Sequence, residues 1–300
     1  MRRIIRQRQL FIMLLPAFLL VLMFSYMPLV GWFMAFTRYQ VGKSIFDAPW
    51  AGLDHFKMFF LQGNDYVYLL RNTLAMNLMN LIIGIFLAML FAILLNEVKI
   101  KAVSKLVQSA SFFPFFLSWI IVYSIAYAFF AQGGGAVTTL LQSVGLLPAR
   151  ANLLGESRYA WSMAIGLQLW KSLGYNSVIF LSAISAIPQE QYESAIVDGA
   201  TRFQRMFYIT IPNLLTTVMV LLILNSGWIL NSNFDFYWIF TNPTNWERME
   251  VLDMYIYKFG LRQLNFSYAT AIGMVKSLVS ILLILGVNTV SRRTTDRAIF

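Results

Sequence analysis

The residues of this sequence that could do chemistry are polar side chains recurring at helical spacing inside long apolar runs. In the run Trp161–Ile184, Gln168, Lys171 and Tyr175 lie three and four apart and share one helix face, with Asn176 beside them. Where the run Met206–Leu230 ends, Asn225, Trp228 and Ser232 repeat the spacing, and Asn231 adjoins them. The chemistry these types offer is binding. Aromatic rings stack on the apolar C–H face of a pyranose while amides and hydroxyls bond its hydroxyl groups, so the two faces suit a sugar. Asn and Gln in apolar runs also join helices, at about 0.6 to 2 kcal/mol each, and that reading stands beside the first. Asn72, Asn77 and Asn80, in an earlier run, read as such interhelical groups. A lysine at membrane depth is costly and marks a pathway or a pairing. Lys171 is compatible with an anionic sugar such as a uronate but does not decide substrate charge, whereas Lys276 lies close enough to an end of its run to snorkel.

Bond-breaking chemistry finds no support. The chain has no cysteine and a single histidine, His55, so thiolate and histidine metal sites are excluded and no metal is expected. No paired carboxylates and no nucleophile with a neighbouring base occur within the apolar runs, so no catalytic residue is assigned and a membrane-embedded enzyme is set aside. The phosphate-binding pattern Gly, four residues, Gly-Lys-Ser/Thr is missing too, so any ATP and Mg would be bound elsewhere and no cofactor is expected in this chain.

The elements that must position the polar faces follow from composition. At 59% hydrophobic and 12% charged, with a mean hydropathy of +0.65, the chain falls far from the roughly 25% charge of soluble domains. It reads as an all-α polytopic membrane protein. Six stretches reach the about 20 residues needed to span: Leu10–Phe36, Leu69–Leu95, Phe112–Phe130, Trp161–Ile184, Met206–Leu230 and Ala269–Val290. The first follows a basic cluster, as in a signal peptide, but is long and lacks a small-residue cleavage site, so it reads as a retained span.

Orientation comes from Lys and Arg in the loops. With the N-terminus inside, the inner segments hold Arg2, Arg3, Arg6 and Arg8, then Lys99, Lys101 and Lys105, then Arg202 and Arg205, then Arg292, Arg293 and Arg297. These twelve cations face five acids, whereas the outer segments set nine against eight. Both termini are therefore expected in the cytoplasm. The net charge of +10 reads as topology and contact with anionic membrane lipids, not as nucleic-acid binding. The outer segment from Asn231 to Tyr268 is the longest, and Leu252, Tyr255, Ile256 and Phe259 predict a short helix lying on the outer surface. The expected organisation is residues 1–68 as an N-terminal span with its outer loop, 69–291 as a five-span core and 292–300 as a cytoplasmic tail.

Between the fourth and fifth spans lies a charged segment, 187–212, that membrane crossing alone does not require. Pro188 suits a helix start, and Glu190 and Glu193 then fall near the positive end of the helix dipole. Tyr192, Ala195 and Ile196 form a small apolar face, Gly199 permits a sharp turn after Asp198, and Pro212 suits the first turn of the next helix. The result is a knob with an apolar side and acidic edges. An interfacial helix would instead carry Lys and Arg on its polar face.

In its spacing the segment resembles the coupling segment of binding-protein-dependent ABC importer permeases. That pattern is Glu-Ala-Ala, three residues, Gly, nine residues, Ile, one residue, Leu-Pro. Here it reads Glu193-Ser194-Ala195, Gly199, Ile209 and Ile211-Pro212, with Ser194 and Ile211 as departures. Across nearly the whole chain the sequence is similar to sugar-type permeases, and within them to the LplB/YteP-like group associated with oligosaccharides from complex polysaccharides. Tyr26-Met27-Pro28, Trp50-Ala51-Gly52-Leu53, Leu94-Leu95-Asn96-Glu97 and Trp170–Tyr175 carry this narrower match. The resemblance implies a type I importer (MetI-like) fold in a bacterial cytoplasmic (inner) membrane. It implies four kinds of partner: a homologous second permease, two ABC ATPases, an extracytoplasmic solute-binding protein and an oligosaccharide. It places ATPase coupling on Glu190, Glu193, Ser194, Ala195, Asp198, Gly199, Ala200, Ile209 and Pro212, and substrate on the spans flanking them. The rival reading is a secondary sugar transporter driven by an ion gradient, which would need paired ionisable residues within the spans.

Overall fold

Residues 8–295 are described by the computed structural model, and their regular elements are helices, with one isolated antiparallel bridge between Thr37 and Trp50. Arg2, Arg3 and Arg6, and the tail from Asp296 onward, lie outside the described residues. The chain forms two compact units, one from the N-terminal segment to Tyr66 with Tyr255–Leu278, the other from Val67–Met254 with the chain from Val279 onward.

In the first unit α1 (Arg8–Val21) continues through a π turn into a 3-10 segment, Met27–Phe36. Pro28 sits in the first turn of that segment, where its missing N–H is least costly. Gln9–Phe36 is strongly apolar, and its residues from Gln9 to Val30 are exposed, Met13 at 77%, which suits lipid or a partner helix, whereas Ala35 is buried. Trp50 stacks on Phe36, and α2 (Asp54–Leu61) follows. Here the Tyr255 hydroxyl donates to Asp65 at 2.9 Å, and the Ser267 hydroxyl accepts from the Tyr39 amide at 2.9 Å.

The second unit is built on α3 (Asp65–Glu97), α4 (Lys101–Phe112), α5 (Trp119–Phe130), α6 (Ala136–Ser143), α7 (Ser157–Ser185), α8 (Gln189–Val197), α9 (Arg202–Arg205) and α10 (Ile211–Ser226). Then come α11 (Phe234–Phe240), α12 (Trp246–Met249), α13 (Leu252–Tyr257) and α14 (Phe266–Thr295), the last two shared between the units. Small residues one turn apart allow close approach: Ala88 and Ala92 of α3 pack with Phe180 and Ile184 of α7 and Leu214 of α10.

By length and hydropathy, four helices among the described residues can cross a membrane: Gln9–Phe36, Asp65–Glu97, Arg202–Ser226 and Phe266–Thr289. The expected third span is broken. Lys101–Phe116 and Trp119–Phe130 meet at 110°, because Pro114 starts a 3-10 turn and Leu117 and Ser118 are extended. Counted as one span, that pair makes five. The expected fourth span, α7, has the length at 29 residues but falls outside the apolar set, since it carries Gln168, Lys171 and Asn176. The fifth closes at Ser226, four residues before the expected Leu230, and a turn carries the chain on.

The long segment after Asn231 is not confined to the surface. Phe236, Tyr237 and Phe240 of α11 are buried with Met76, Val122, Ala126 and Ala164. The short helix expected near 251–261 is present as α13 and a π turn, but Leu252 and Tyr255 are buried rather than lying on an outer surface. Aromatic density explains the difference: α11 reads Phe-Asp-Phe-Tyr-Trp-Ile-Phe, which gains most when inserted between helices.

Candidate functional site

A cavity of about 480 Å³ opens between α3, α7 and α10. Asn77 and Asn80 come from α3, Ser172, Tyr175 and Asn176 from α7, Asn225 from α10, and Trp228 and Asn231 from the turn beyond it. Leu81, Ile85, Ile179 and Leu221 complete an apolar base. Each lining side chain is uncharged.

The turn is held by side chains because its backbone has left the helix. Asn77 Nδ2 donates to the Ile229 carbonyl at 2.9 Å and to Ser232 Oγ at 3.1 Å. The Ser232 amide donates to Asp253 Oδ2 at 2.8 Å, and Asn233 caps α11 by accepting from the Phe236 amide. Asn80 Nδ2 donates to Gln168 Oε1 at 3.2 Å, and Asn225 Nδ2 to the Leu221 carbonyl at 2.8 Å. Their donors thus fix structure. Among the described residues, the Asn176 and Asn231 side chains make no hydrogen bond. Trp228 is 70% exposed.

Of the residues singled out from sequence as sugar ligands, the cavity collects Tyr175, Asn176, Asn225, Trp228 and Asn231. Gln168 is buried behind it, accepting from Asn80 and donating to the Ala164 carbonyl. Ser232 fixes the turn, and Lys171 points at the broken third span, its Nζ 2.6 Å from the Phe115 carbonyl. Asn80 does bond between helices as read from sequence, whereas Asn77 bonds from α3 to the turn beyond α10, and both also line the cavity. Their three-residue spacing was the available signal.

The charged segment is shaped mainly by its backbone. Pro188 precedes α8, and Glu190 and Glu193 are exposed, Glu193 accepting from Gln189 Nε2 at 3.0 Å. Ser194 Oγ donates to the Gln191 carbonyl. Asp198 caps the C-terminus, and Gly199 at φ +77° takes the left-handed conformation that favours glycine. The Ala200 amide reaches back to the Ala195 carbonyl at 2.8 Å and the Gly199 amide to Ile196 at 3.1 Å, the double closure of a Schellman motif. Thr201 and Gln204 then form a capping box that starts α9 at once.

From α9 the helix continues through a π turn, Met206–Thr210, into α10. Pro212 accounts for the turn, since its ring would clash with the carbonyl four residues back in a regular helix. Ile209 lies in that turn, its carbonyl accepting from Asn213 Nδ2 at 2.8 Å. Two bonds tie α8 to this helix, Tyr192 Oη with Thr210 Oγ1 at 2.9 Å and Asn213 Nδ2 to Gln191 Oε1 at 3.3 Å. Tyr192 is therefore turned inward, away from the apolar face read from sequence. The exposed apolar surface consists instead of Ile196 and Val197, with Phe203, Phe207 and Tyr208 beyond the bend.

An all-helical, multi-pass membrane protein with a neutral polar cavity in its helical core and a protruding apolar knob at one end of a spanning helix is built as a permease. The chain belongs to the family described as binding-protein-dependent transport system inner membrane component, which it matches over residues 80–296. It is 36% identical over 295 residues to Protein LplB of Bacillus subtilis, covering 98% of this chain and 92% of that one. To the polygalacturonan/rhamnogalacturonan transport system permease protein YteP of the same organism it is 35% identical over 298 residues, covering 99% and 92%. Among solved structures it is similar to a chain of a bacterial alginate ABC transporter in complex with an alginate pentasaccharide-bound periplasmic protein, with a TM-score of 0.88, 34% identity and 99% coverage of both chains.

Proposed function

We propose that this permease subunit imports oligosaccharides released from complex polysaccharides, uronate-containing ones included. The observation that carries the reading is one continuous helix. Arg202–Ser226, 25 residues or about 37 Å long, begins beside the knob and ends with Asn225 in the cavity. A displacement at one end is thus carried mechanically to the other. The polysaccharides named for YteP and the alginate transporter support the substrate class.

In this reading residues 69–291 form the translocating core, with 1–68 as an appended span and both termini in the cytoplasm, as the distribution of Lys and Arg supports. A second permease faces the cavity, an extracytoplasmic binding protein delivers the saccharide, and two ATPases bind and hydrolyse ATP with Mg. The ATPases dock on Ile196 and Val197 between the acidic Glu190, Glu193 and Asp198, all exposed. ATP-driven closure moves α8, and the helices on either side of it rock between inward- and outward-facing states.

The test is uptake by the assembled importer carrying Glu193→Ala or Gly199→Val. Uptake and saccharide-stimulated ATP hydrolysis fall in both variants while the subunit still reaches the membrane folded. Unchanged uptake by both, or uptake that follows an ion gradient without ATP, overturns the reading.

A further inference from the structure

The break in the third span leaves a carbonyl that the helix itself cannot satisfy. In an uninterrupted helix the Phe115 carbonyl would accept from the amide of Trp119, four residues on. Leu117 and Ser118 are extended, so that amide is carried away, and Ser118 starts α5 afresh as its N-cap. A carbonyl within a membrane needs an internal partner, because no water is available there.

The partner comes from α7. Lys171 Nζ lies 2.6 Å from the Phe115 carbonyl oxygen and 5.2 Å from the ring centroids of both Phe115 and Trp119. The ammonium is therefore hydrogen-bonded to the carbonyl and lies near two aromatic rings, an arrangement that offsets part of its desolvation. One turn along α7, Tyr175 stacks on Phe115 with centroids 4.0 Å apart and planes 5° from parallel. Between them Gly174 meets the backbone of α4 so closely that a Cβ would overlap the Ser111 carbonyl. Residues 171, 174 and 175 thus form one face that receives the broken span, and Tyr175 also lines the cavity.

We infer that Lys171 is a positioning residue: its ammonium caps the carbonyl freed at the broken third span and so holds the Phe115–Tyr175 stack that shapes the cavity wall. A saccharide ligand at this position would need the amine turned toward the cavity, whose lining carries no charge. The capping stands on the geometry of the break and does not depend on what the cavity binds.

The experiment is amide hydrogen exchange of the subunit in its assembled importer, without saccharide, followed in peptides covering Phe113–Ile121. Lys171→Met raises exchange at the break by about tenfold, the size expected for loss of a hydrogen bond to a charged group. Lys171→Arg, whose guanidinium also donates and stacks, stays near the parent rate. Tyr175→Leu, which keeps Lys171 but removes the stack, loosens the same peptides and serves if Lys171→Met does not assemble. Unchanged exchange in Lys171→Met overturns the inference, as does unchanged exchange in Tyr175→Leu where Lys171→Met does not assemble, and as does a Lys171→Met effect seen only once saccharide is added, which would make the amine a ligand. If Trp228→Ala leaves uptake intact, the reading of the cavity fails and the exchange result still stands.

Discussion

The two ends of the helix Arg202–Ser226 are built by different rules. At the knob, shape comes from the backbone: a Schellman closure through Gly199, a capping box at Thr201 and a π turn before Pro212, all made by residues close in sequence. At the cavity, shape comes from side chains reaching across the bundle, as when Asn77 holds a turn 152 residues later in the chain. The knob leaves its apolar side chains outward, and the wall ties most of its amide donors into structure. In the proposed function the knob is a docking surface, which must keep one form while the bundle around it moves, and the wall opens and closes, which needs bonds that can be exchanged.

The difference can be broken most forcefully at two glycines. Gly174→Ala puts a Cβ into the Ser111 carbonyl, and backbone cannot give way as a flexible side chain can. Overpacking of this kind costs about 1–3 kcal/mol. The melting temperature of the detergent-solubilised importer falls, and uptake falls with it. Gly166→Ala on the same helix meets nothing within 4 Å and leaves the melting temperature unchanged or higher. Gly199→Val acts at the other end. A side chain at φ +77° costs about 1–2 kcal/mol and more when β-branched, but the bend is exposed and relieves that strain by opening locally, so uptake drops while the melting temperature moves less than in Gly174→Ala. Equal melting losses for Gly174→Ala and Gly199→Val would erase the distinction between local and tertiary construction.

At the wall, Trp228→Ala removes an exposed ring and with it the stacking surface proposed for a pyranose. Aromatic contacts are worth about 0.5–1.5 kcal/mol beyond their area, so the saccharide concentration for half-maximal stimulation of ATP hydrolysis rises up to about tenfold. Basal hydrolysis stays as it was. A matching rise for Ile179→Ala, in the apolar base, would point to general loosening instead.

How much of this was legible in the sequence follows the same division. Gly199 and Pro212 are local signals, and the structure shows each shaping the backbone there. Helical spacing brought Tyr175, Asn225 and Trp228 onto the cavity, yet the same periodicity placed Lys171 with them. Periodicity fixes a face, and the break at Leu117 and Ser118, which decides what that face meets, lies more than 50 residues earlier. Pro114 is visible in the sequence within the third apolar run but does not give the angle there, because proline in a span is compatible with a kink or a full break. The burial of α11 was unreadable for a related reason: its aromatic residues have no period in seven positions, and only a neighbouring groove gives them an inside.

The smallest effect probes the seam where local and tertiary construction meet. Tyr192 belongs to the knob, but its hydroxyl is bonded to Thr210, in the π turn at the root of α10. Tyr192→Phe keeps the ring and removes one partly buried hydrogen bond, worth about 1 kcal/mol. If α8 drives α10 through this bond, the variant hydrolyses ATP with less uptake for each turnover, and Thr210→Val reproduces the defect without adding to it in the double variant. If α8 moves the helix through its covalent connection and the Gln191–Asn213 bond instead, the ratio of uptake to hydrolysis is unchanged in both. That ratio measures the stiffness of the joint between knob and cavity, and a shift of only a few-fold is enough to show that Tyr192 contributes to it.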